Sequence, residues 1–208
     1  MTYRGAKTLW HAERQNERLA ALDSQKMRPL NAYRKRLQEA SGSRIPNFDP
    51  FDGGVSARLL ILLETPGPSA VDIDRRFVSI DNPTGTAKNL RSALAAASIP
   101  RKDIILWNTI PWVRASQRSI TVSQRRAGIE QIIDLLSILP NLKAAILAGS
   151  VASAAGRALE DAGVKVILAP HPSPTLINTS STLRDRLHAA FEAAAKTLDQ
   201  SKMPNDLF

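Results

Sequence analysis

The chain has 208 residues, 43% of them hydrophobic and 23% charged, which is typical of one soluble domain with a single core. Its 28 lysines and arginines exceed its 19 acidic residues. The resulting net charge of +9 favours a polyanionic partner, most commonly a nucleic acid. The absence of cysteine excludes disulfides, iron–sulfur clusters, zinc–thiolate sites and cysteine nucleophiles.

The chain carries no recognisable membrane or secretion signal. No apolar stretch approaches the roughly 20 residues that a membrane-spanning helix needs, and no apolar core follows the first charged residues. We therefore expect a cytoplasmic, nucleoid-associated monomer with no membrane partner. We also expect a single domain over residues 1–208, with a helical extension and connection at residues 1–56 and an α/β core at residues 57–200.

The first part of the chain, residues 8–40, is polar and rich in helix-forming residues. A thin apolar face interrupted by Pro29 predicts two helices packed on the edge of the main domain. Residues 41–56 contain glycine, proline, asparagine and aspartate, a composition that predicts an irregular connection.

From residue 58 onward, apolar runs alternate with amphipathic segments. The apolar runs predict buried strands at residues 58–63, 103–107, 144–147 and 164–169. The amphipathic segments predict helices at residues 86–97, 123–139 (with Ser123 or Thr121 as the N-cap), 150–159 and 181–198. Strand–helix alternation indicates parallel pairing, so we predict a three-layer α/β/α fold with a central four-stranded parallel sheet, plus N-terminal helices. Residues 201–208 predict a loosely held tail.

Polar, proline-containing loops follow three of the predicted strands. Residues 64–67 (Glu-Thr-Pro-Gly) follow the first strand, Asn108 follows the second, and residues 171–174 (His-Pro-Ser-Pro) follow the fourth. Ligands of open α/β sheets bind outside the carboxyl ends of the strands, so three such loops are expected to converge on one pocket. The prolines around His171 fix the backbone and hold the imidazole in place.

Each of these motifs also has a purely structural explanation. Residues 64–67 can be an ordinary turn, and Asn108 can cap a turn through its side chain. His171 can be a hydrogen-bonded loop histidine, and residues 75–78 (Arg-Arg-Phe-Val) can bury an aromatic ring under a basic loop.

Taken together and in this order, the motifs resemble the uracil-DNA glycosylase superfamily over about residues 58–186. Residues 63–67 (Leu-Glu-Thr-Pro-Gly) are similar to the Gly-Glu-Ala-Pro-Gly loop of its thermophile-type branch, and residues 75–78 to that branch's Arg-Pro-Phe-Val-Gly segment. Residues 82–85 (Asn-Pro-Thr-Gly) and 147–152 (Leu-Ala-Gly-Ser-Val-Ala) fall where the family has further loop and strand signatures.

The resemblance implies a DNA repair enzyme that flips uracil out of DNA and hydrolyses its glycosidic bond, leaving an abasic site and free uracil. It implies that His171 bonds uracil O2 and stabilises the departing anion, that Asn108 reads the Watson–Crick edge, and that Phe77 stacks on the ring. The uracil-binding residues it implies are Asn108, Phe77, Thr65, Pro66 and Gly67.

Three departures set this chain apart from the branch that it resembles. The four cysteines of the thermophile-type iron–sulfur cluster are absent, and Leu63 replaces the first glycine of the motif. Thr65 stands where other members carry an aspartate or asparagine that orients the attacking water, and a threonine is no carboxylate base. We expect Glu64 to guide the water instead, with Asp81 as the second candidate if its loop folds inward. No metal or other cofactor is expected.

Contacts to DNA are expected beside the histidine loop and in a basic stretch. The resemblance implies that residues after this loop wedge into the gap left by the flipped base, with Leu176 as the wedge. The alternative is that Leu176 packs the last helix on the sheet. The expected DNA-binding residues are Ser173, Pro174, Leu176, Arg114 and Arg118.

Two other functions remain open at this point. One is a glycosylase for another deaminated or damaged base, because Thr65 changes the loop that shapes specificity. The other is a DNA- or abasic-site-binding protein whose catalysis has weakened, which the missing carboxylate favours and the presence of both Asn108 and His171 disfavours.

Overall fold

The fold was analysed in a computed structural model, which describes residues 8–67, 69, 71–113 and 119–200. Arg114, Arg118 and the predicted tail at residues 201–208 lie outside the described residues. The elements in chain order are α1 (Ala12–Ala21), α2 (Arg28–Ser41), β1 (Asn47–Phe48), β2 (Leu59–Leu63), β3 (Phe77–Val78), α3 (Gly85–Ala96), β4 (Ile104–Asn108), α4 (Val122–Leu136), β5 (Ala144–Ala148), α5 (Ser150–Ser153), α6 (Gly156–Asp161), β6 (Lys165–Ala169), α7 (Pro174–Ile177) and α8 (Ser181–Gln200). None of the described helices is both long and apolar enough to span a bilayer.

The predicted four-stranded parallel sheet is confirmed, with the strand order β4-β2-β5-β6. The register pairs Leu63 with Asn108 and Ala148 with Ala169, so the polar loops leave one edge of the sheet together. The chain passes from β2 to β4 on one side and then to β5 on the other side of β2. This reversal places a crevice at the carboxyl ends of β2 and β5, where α/β folds bind ligands.

The two N-terminal helices attach to the core differently, since α2 buries an apolar stripe whereas the buried residues of α1 are Gln15 and Arg18. Leu30, Tyr33 and Leu37 of α2 are buried in the main core, and Pro29 lies in the first turn of α2, where a missing backbone N–H costs nothing. Pro29 therefore begins a helix rather than interrupting one.

Several elements differ from the predicted ones. The fourth strand, β6, was predicted to be buried, but Leu168 on it is 63% exposed, because β6 is the edge of the sheet and one of its faces is uncovered. The helix predicted at residues 150–159 is two short helices, α5 and α6. The irregular connection contains β1, which pairs in parallel with β3. These two-residue strands are too short to leave a periodic signal.

A buried ionic cluster joins α1 to the core. Arg18 bonds Asp49 (3.1 Å) and Asp81 (2.5 Å), and Arg101 bonds Asp49 (2.8 Å), Asp52 (2.9 Å) and Asp81 (2.6 Å). Burial, reinforced by the charge of Asp49, raises the pKa of Asp52 to about 8. The charge of Arg101, which bonds Asp52, opposes this rise.

Candidate active site

A cavity of about 590 Å³ opens at the carboxyl edge of the sheet. Its volume lies within the usual range for small-molecule sites. The cavity contains all five predicted uracil-binding residues and the predicted catalytic histidine. These are Thr65, Pro66, Gly67, Phe77, Asn108 and His171.

Asn108 ends β4 with its side chain only 3% exposed. The backbone that follows it is held firmly, because Thr109 N donates to Leu63 O (2.8 Å) and Ile110 N donates to Glu64 O (3.0 Å). A Cβ atom at Gly128 would lie 2.4 Å from Thr109 O, so α4 packs directly on this backbone. Within the described residues the Asn108 carboxamide has no hydrogen-bond partner, which leaves its donor and acceptor available to a ligand in the cavity.

The loop that carries His171 is fixed by α3. Asn89 Nδ2 of α3 donates to the carbonyl oxygen of Pro172 (3.0 Å). A Cβ atom at Gly85 would lie 2.1 Å from Pro174 Cγ, so only glycine allows α3 to approach the loop this closely. These contacts hold the loop that presents the imidazole to the cavity, a rigidity that prolines alone do not supply.

A glycine also supports the imidazole from the side of β5. Gly149 has a φ of +96°, and a Cβ atom there would lie 3.1 Å from His171 Cβ. Glycine is therefore required for both the backbone conformation and the space that His171 occupies. Burial lowers the pKa of His171 below its ordinary value, while the negative charge of Glu64 opposes that shift. The imidazole is therefore neutral at pH 7.

A second cavity of about 570 Å³ lies at the same edge of the sheet and is lined by residues that follow β2, β5 and β6. His171 lines both cavities, whereas Glu64 lines only the second one. The residues of the second cavity that can donate or accept hydrogen bonds through their side chains are Glu64, Ser150, Ser153, His171, Ser173 and Arg186. Glu64 and His171, the predicted carboxylate and the predicted histidine, thus line one cavity. The hydroxyl groups of three serines line the same cavity.

Asp81, the second candidate for guiding the water, lies elsewhere. Its carboxylate is buried in the ionic cluster with Arg18 and Arg101, and Asp81 lines neither cavity. The loop does fold inward, but it directs this side chain to two guanidinium groups rather than to the site. The structure therefore corrects the suggestion that Asp81 guides a water molecule.

Only some of the predicted DNA-binding residues line the second cavity. Ser173 and Leu176 line the second cavity, and Leu176 is exposed while its neighbour Ile177 is buried in the core. Pro174 packs against Gly85 and lines neither cavity. The alternative explanation, in which the segment packs α8 on the sheet, thus applies to Ile177 and leaves Leu176 available at the surface.

Several residues that line the first cavity are not among the predicted site residues. Arg76 lines it and donates from Nη2 to the carbonyl oxygen of Gly67, and burial lowers the pKa of this guanidinium. Leu9, Trp10 and Gln15 reach the cavity from the N-terminal segment. The only signal for them was an apolar Leu-Trp pair in an otherwise polar stretch.

Fold and site together define an α/β protein whose cavity at the carboxyl edge of the sheet is lined by an asparagine, a phenylalanine and a histidine. Residues 50–197, more than two thirds of the chain, match the Uracil DNA glycosylase superfamily. The chain therefore belongs to this superfamily, and its general function is that of a DNA glycosylase, a hydrolase of DNA repair. No curated protein sequence matches the chain.

Proposed function

We propose that this protein is a monofunctional glycosylase that removes uracil from DNA. The observation that carries the proposal is the presence of Asn108, Phe77 and His171 around a single cavity. The Asn108 carboxamide matches uracil, since it can donate to O4 and accept from N3–H, whereas cytosine presents the opposite pattern. A mismatched base would leave buried polar groups unpaired, and this is a strong basis for discrimination.

The chemical step requires the C1′–N1 bond to break and a water oxygen to bond to C1′. The electron pair of the broken bond remains on uracil, which departs as an anion, and the water gives its proton to the carboxylate of Glu64. A neutral His171 donating from its ring N–H to O2 would stabilise the charge that develops there. Because the pKa of His171 is lowered by burial, the imidazole does not need to lose a proton before it acts in this way at pH 7.

Glu64 is the carboxylate that we assign to the water. Glu64 and His171 line the second cavity together, so a water held there would lie within reach of both side chains. Thr65 lines the first cavity with the base-binding residues and does not line the second. This division supports the proposal that Glu64 orients the attacking water, a function that the residue at the position of Thr65 has in other members of the superfamily.

Glu64→Gln is expected to lower the rate of excision about 10- to 100-fold. The amide keeps the size of the side chain but loses a charge-assisted hydrogen bond of about 1.5–3 kcal/mol to the water. The rate is measured in single turnover with enzyme in excess. Glu160→Gln on α6 is the matched control, since this exposed residue lines neither cavity. Equal rates for the two variants would remove Glu64 from the mechanism.

Asn108→Ala is expected to lower uracil excision roughly 10- to 100-fold, because a buried matched contact worth about 1–3 kcal/mol is lost. Discrimination between uracil and cytosine is expected to weaken at the same time. Both are measured on oligonucleotides that differ only in the central base. Asn141→Ala is the control, since Asn141 is exposed and lies between α4 and β5, away from both cavities. An unchanged base preference in Asn108→Ala would contradict this role.

The proposal as a whole is tested with a labelled oligonucleotide that carries one central deoxyuridine. The purified protein is incubated with it without added metal, and alkali then breaks the strand at abasic sites. Scission of the uracil strand only after alkali treatment is the expected result. No lysine lines either cavity, so scission without alkali through a Schiff base is not expected. Intact strands would overturn uracil excision, and hypoxanthine, xanthine and damaged pyrimidines would then be tested in turn.

A further inference from the structure

Trp10 lies at the rim of the first cavity and is 70% exposed. Large aromatic side chains seldom remain this exposed, because they lose the favourable burial of their apolar surface. Trp10 also lies outside residues 50–197, the part of the chain that matches the family. The residue therefore needs an explanation that the shared fold does not provide.

The exposure of Trp10 is not a consequence of a loosely held terminus. Leu9, its neighbour, is buried against Leu22 and Phe77. Gln15 Nε2 donates to the carbonyl oxygen of Leu9 (2.9 Å), and Gln15 Oε1 accepts from Arg75 Nε (3.0 Å). The turn that carries Trp10 is thus tied to the loop that leads into Phe77.

Further bonds strengthen the same connection. Arg75 Nη2 donates to Asn16 Oδ1 (2.6 Å) and to the carbonyl oxygen of Ala12 (3.4 Å), so a single guanidinium bonds three residues of α1. The backbone that carries Trp10 is thus held beside the cavity that Phe77 lines. An aromatic side chain on a fixed backbone contacts a ligand at a lower entropic cost than one on a mobile segment.

We propose that Trp10 is a nucleic-acid contact that stacks on an unpaired base next to the base held in the cavity. This inference rests on the proposed function, because it requires a DNA strand at the mouth of the cavity. Bases present a flat π face to any exposed aromatic ring, whatever their identity. The net charge of +9 favours a polyanionic strand over another protein surface at this position. Because paired bases are already stacked in a duplex, the contact favours single-stranded DNA.

The test measures binding of a short single-stranded oligonucleotide with a central tetrahydrofuran abasic analogue, which the enzyme cannot cleave. Trp10→Ala is expected to bind about tenfold more weakly than the wild type, which corresponds to about 1.4 kcal/mol. Trp10→Phe, which keeps an aromatic ring, is expected to bind within about threefold of the wild type. Ile133→Ala on α4 is the control, since Ile133 is also exposed and apolar but lines neither cavity. Unchanged affinity in Trp10→Ala would overturn the proposal.

Tryptophan fluorescence provides a second measurement. The other tryptophans are the buried Trp107 and the half-buried Trp112, so Trp10 is the one that stacking is expected to quench. Quenching by the oligonucleotide is expected in the wild type and is expected to be absent in Trp10→Phe. Equal quenching in both proteins would overturn the proposal. If Trp10→Ala lost affinity equally for duplex and single-stranded DNA, the proposal that Trp10 stacks on an unpaired base would be overturned.

The two proposals fail in different ways. In Trp10→Ala the enzyme concentration that gives half of the maximal single-turnover rate is expected to rise about tenfold, in step with the loss of affinity. If the wild type excises uracil but the Trp10 variants match its DNA affinity and fluorescence quenching, only the proposed stacking contact of Trp10 is wrong. If the wild type does not excise uracil but its quenching still depends on Trp10, the proposed uracil excision is wrong and the stacking contact stands.

Discussion

His171→Ala is expected to lower the rate of uracil excision about 10²- to 10³-fold, the usual cost of removing one preorganised donor to a developing anion. DNA affinity is expected to remain within a few-fold, because the imidazole acts mainly as the base departs. The rate is measured in single turnover, and affinity is measured with an uncleavable abasic analogue. The effect is large because the contacts of Asn89, Gly85 and Gly149 hold the loop and its imidazole in advance of the reaction.

His188→Ala provides the matched control for this variant. His188 lies on α8 and lines neither cavity, so its loss is expected to leave the rate unchanged. Because burial keeps His171 neutral at pH 7, titration of this residue is expected to leave the wild-type rate unaffected between pH 7 and 8. A His171→Ala enzyme with the wild-type rate would mean that the charge on the departing base is stabilised by another group.

Arg18→Met is expected to lower the free energy of unfolding by about 3–5 kcal/mol, because Asp49 and Asp81 then have only Arg101 to compensate their buried charges. The Arg18 side chain is 1% exposed and bridges Asp49 and Asp81. Methionine fills a similar volume, so the main loss is the charge and its hydrogen bonds. Urea denaturation gives the free energy of unfolding and the slope that checks two-state behaviour.

Arg14→Met, one turn earlier on the same helix, separates this effect from the general loss of an arginine. Arg14 is 56% exposed and pairs with the exposed Glu17, so its loss is expected to change the free energy of unfolding by less than about 1 kcal/mol. Similar losses in both variants would show that the buried cluster contributes no more than a surface ion pair.

The division between two cavities offers a physical account of Thr65. Thr65 lines the base cavity with Pro66, Gly67 and Asn108, whereas Glu64 lines the second cavity. Glu64 and His171 line that second cavity together. The threonine at position 65 therefore does not by itself remove a carboxylate from the neighbourhood of His171.

The sequence by itself determined the central sheet and the placing of the residues predicted to bind the base at one edge of it. Apolar runs of strand length that alternate with amphipathic segments predict parallel strands covered on their faces by helices. In such a sheet the loops after β2, β4 and β6 leave the same edge, so Thr65, Asn108 and His171 could be placed together before any coordinates were known. Their order along the chain then sufficed to indicate the superfamily.

Only the tertiary structure decided the position of Asp81, the exposure of β6 and the contribution of the N-terminal segment. Asp81 binds Arg18, 63 positions earlier in the chain, and no local pattern encodes that ion pair. Leu168 is exposed because no strand follows β6 in the sheet, which depends on strand order rather than on hydrophobicity. Trp10 reaches the cavity through bonds between α1 and Arg75. All three features depend on contacts between residues far apart in sequence. Such contacts form only when the chain is folded, so no local sequence pattern predicts them.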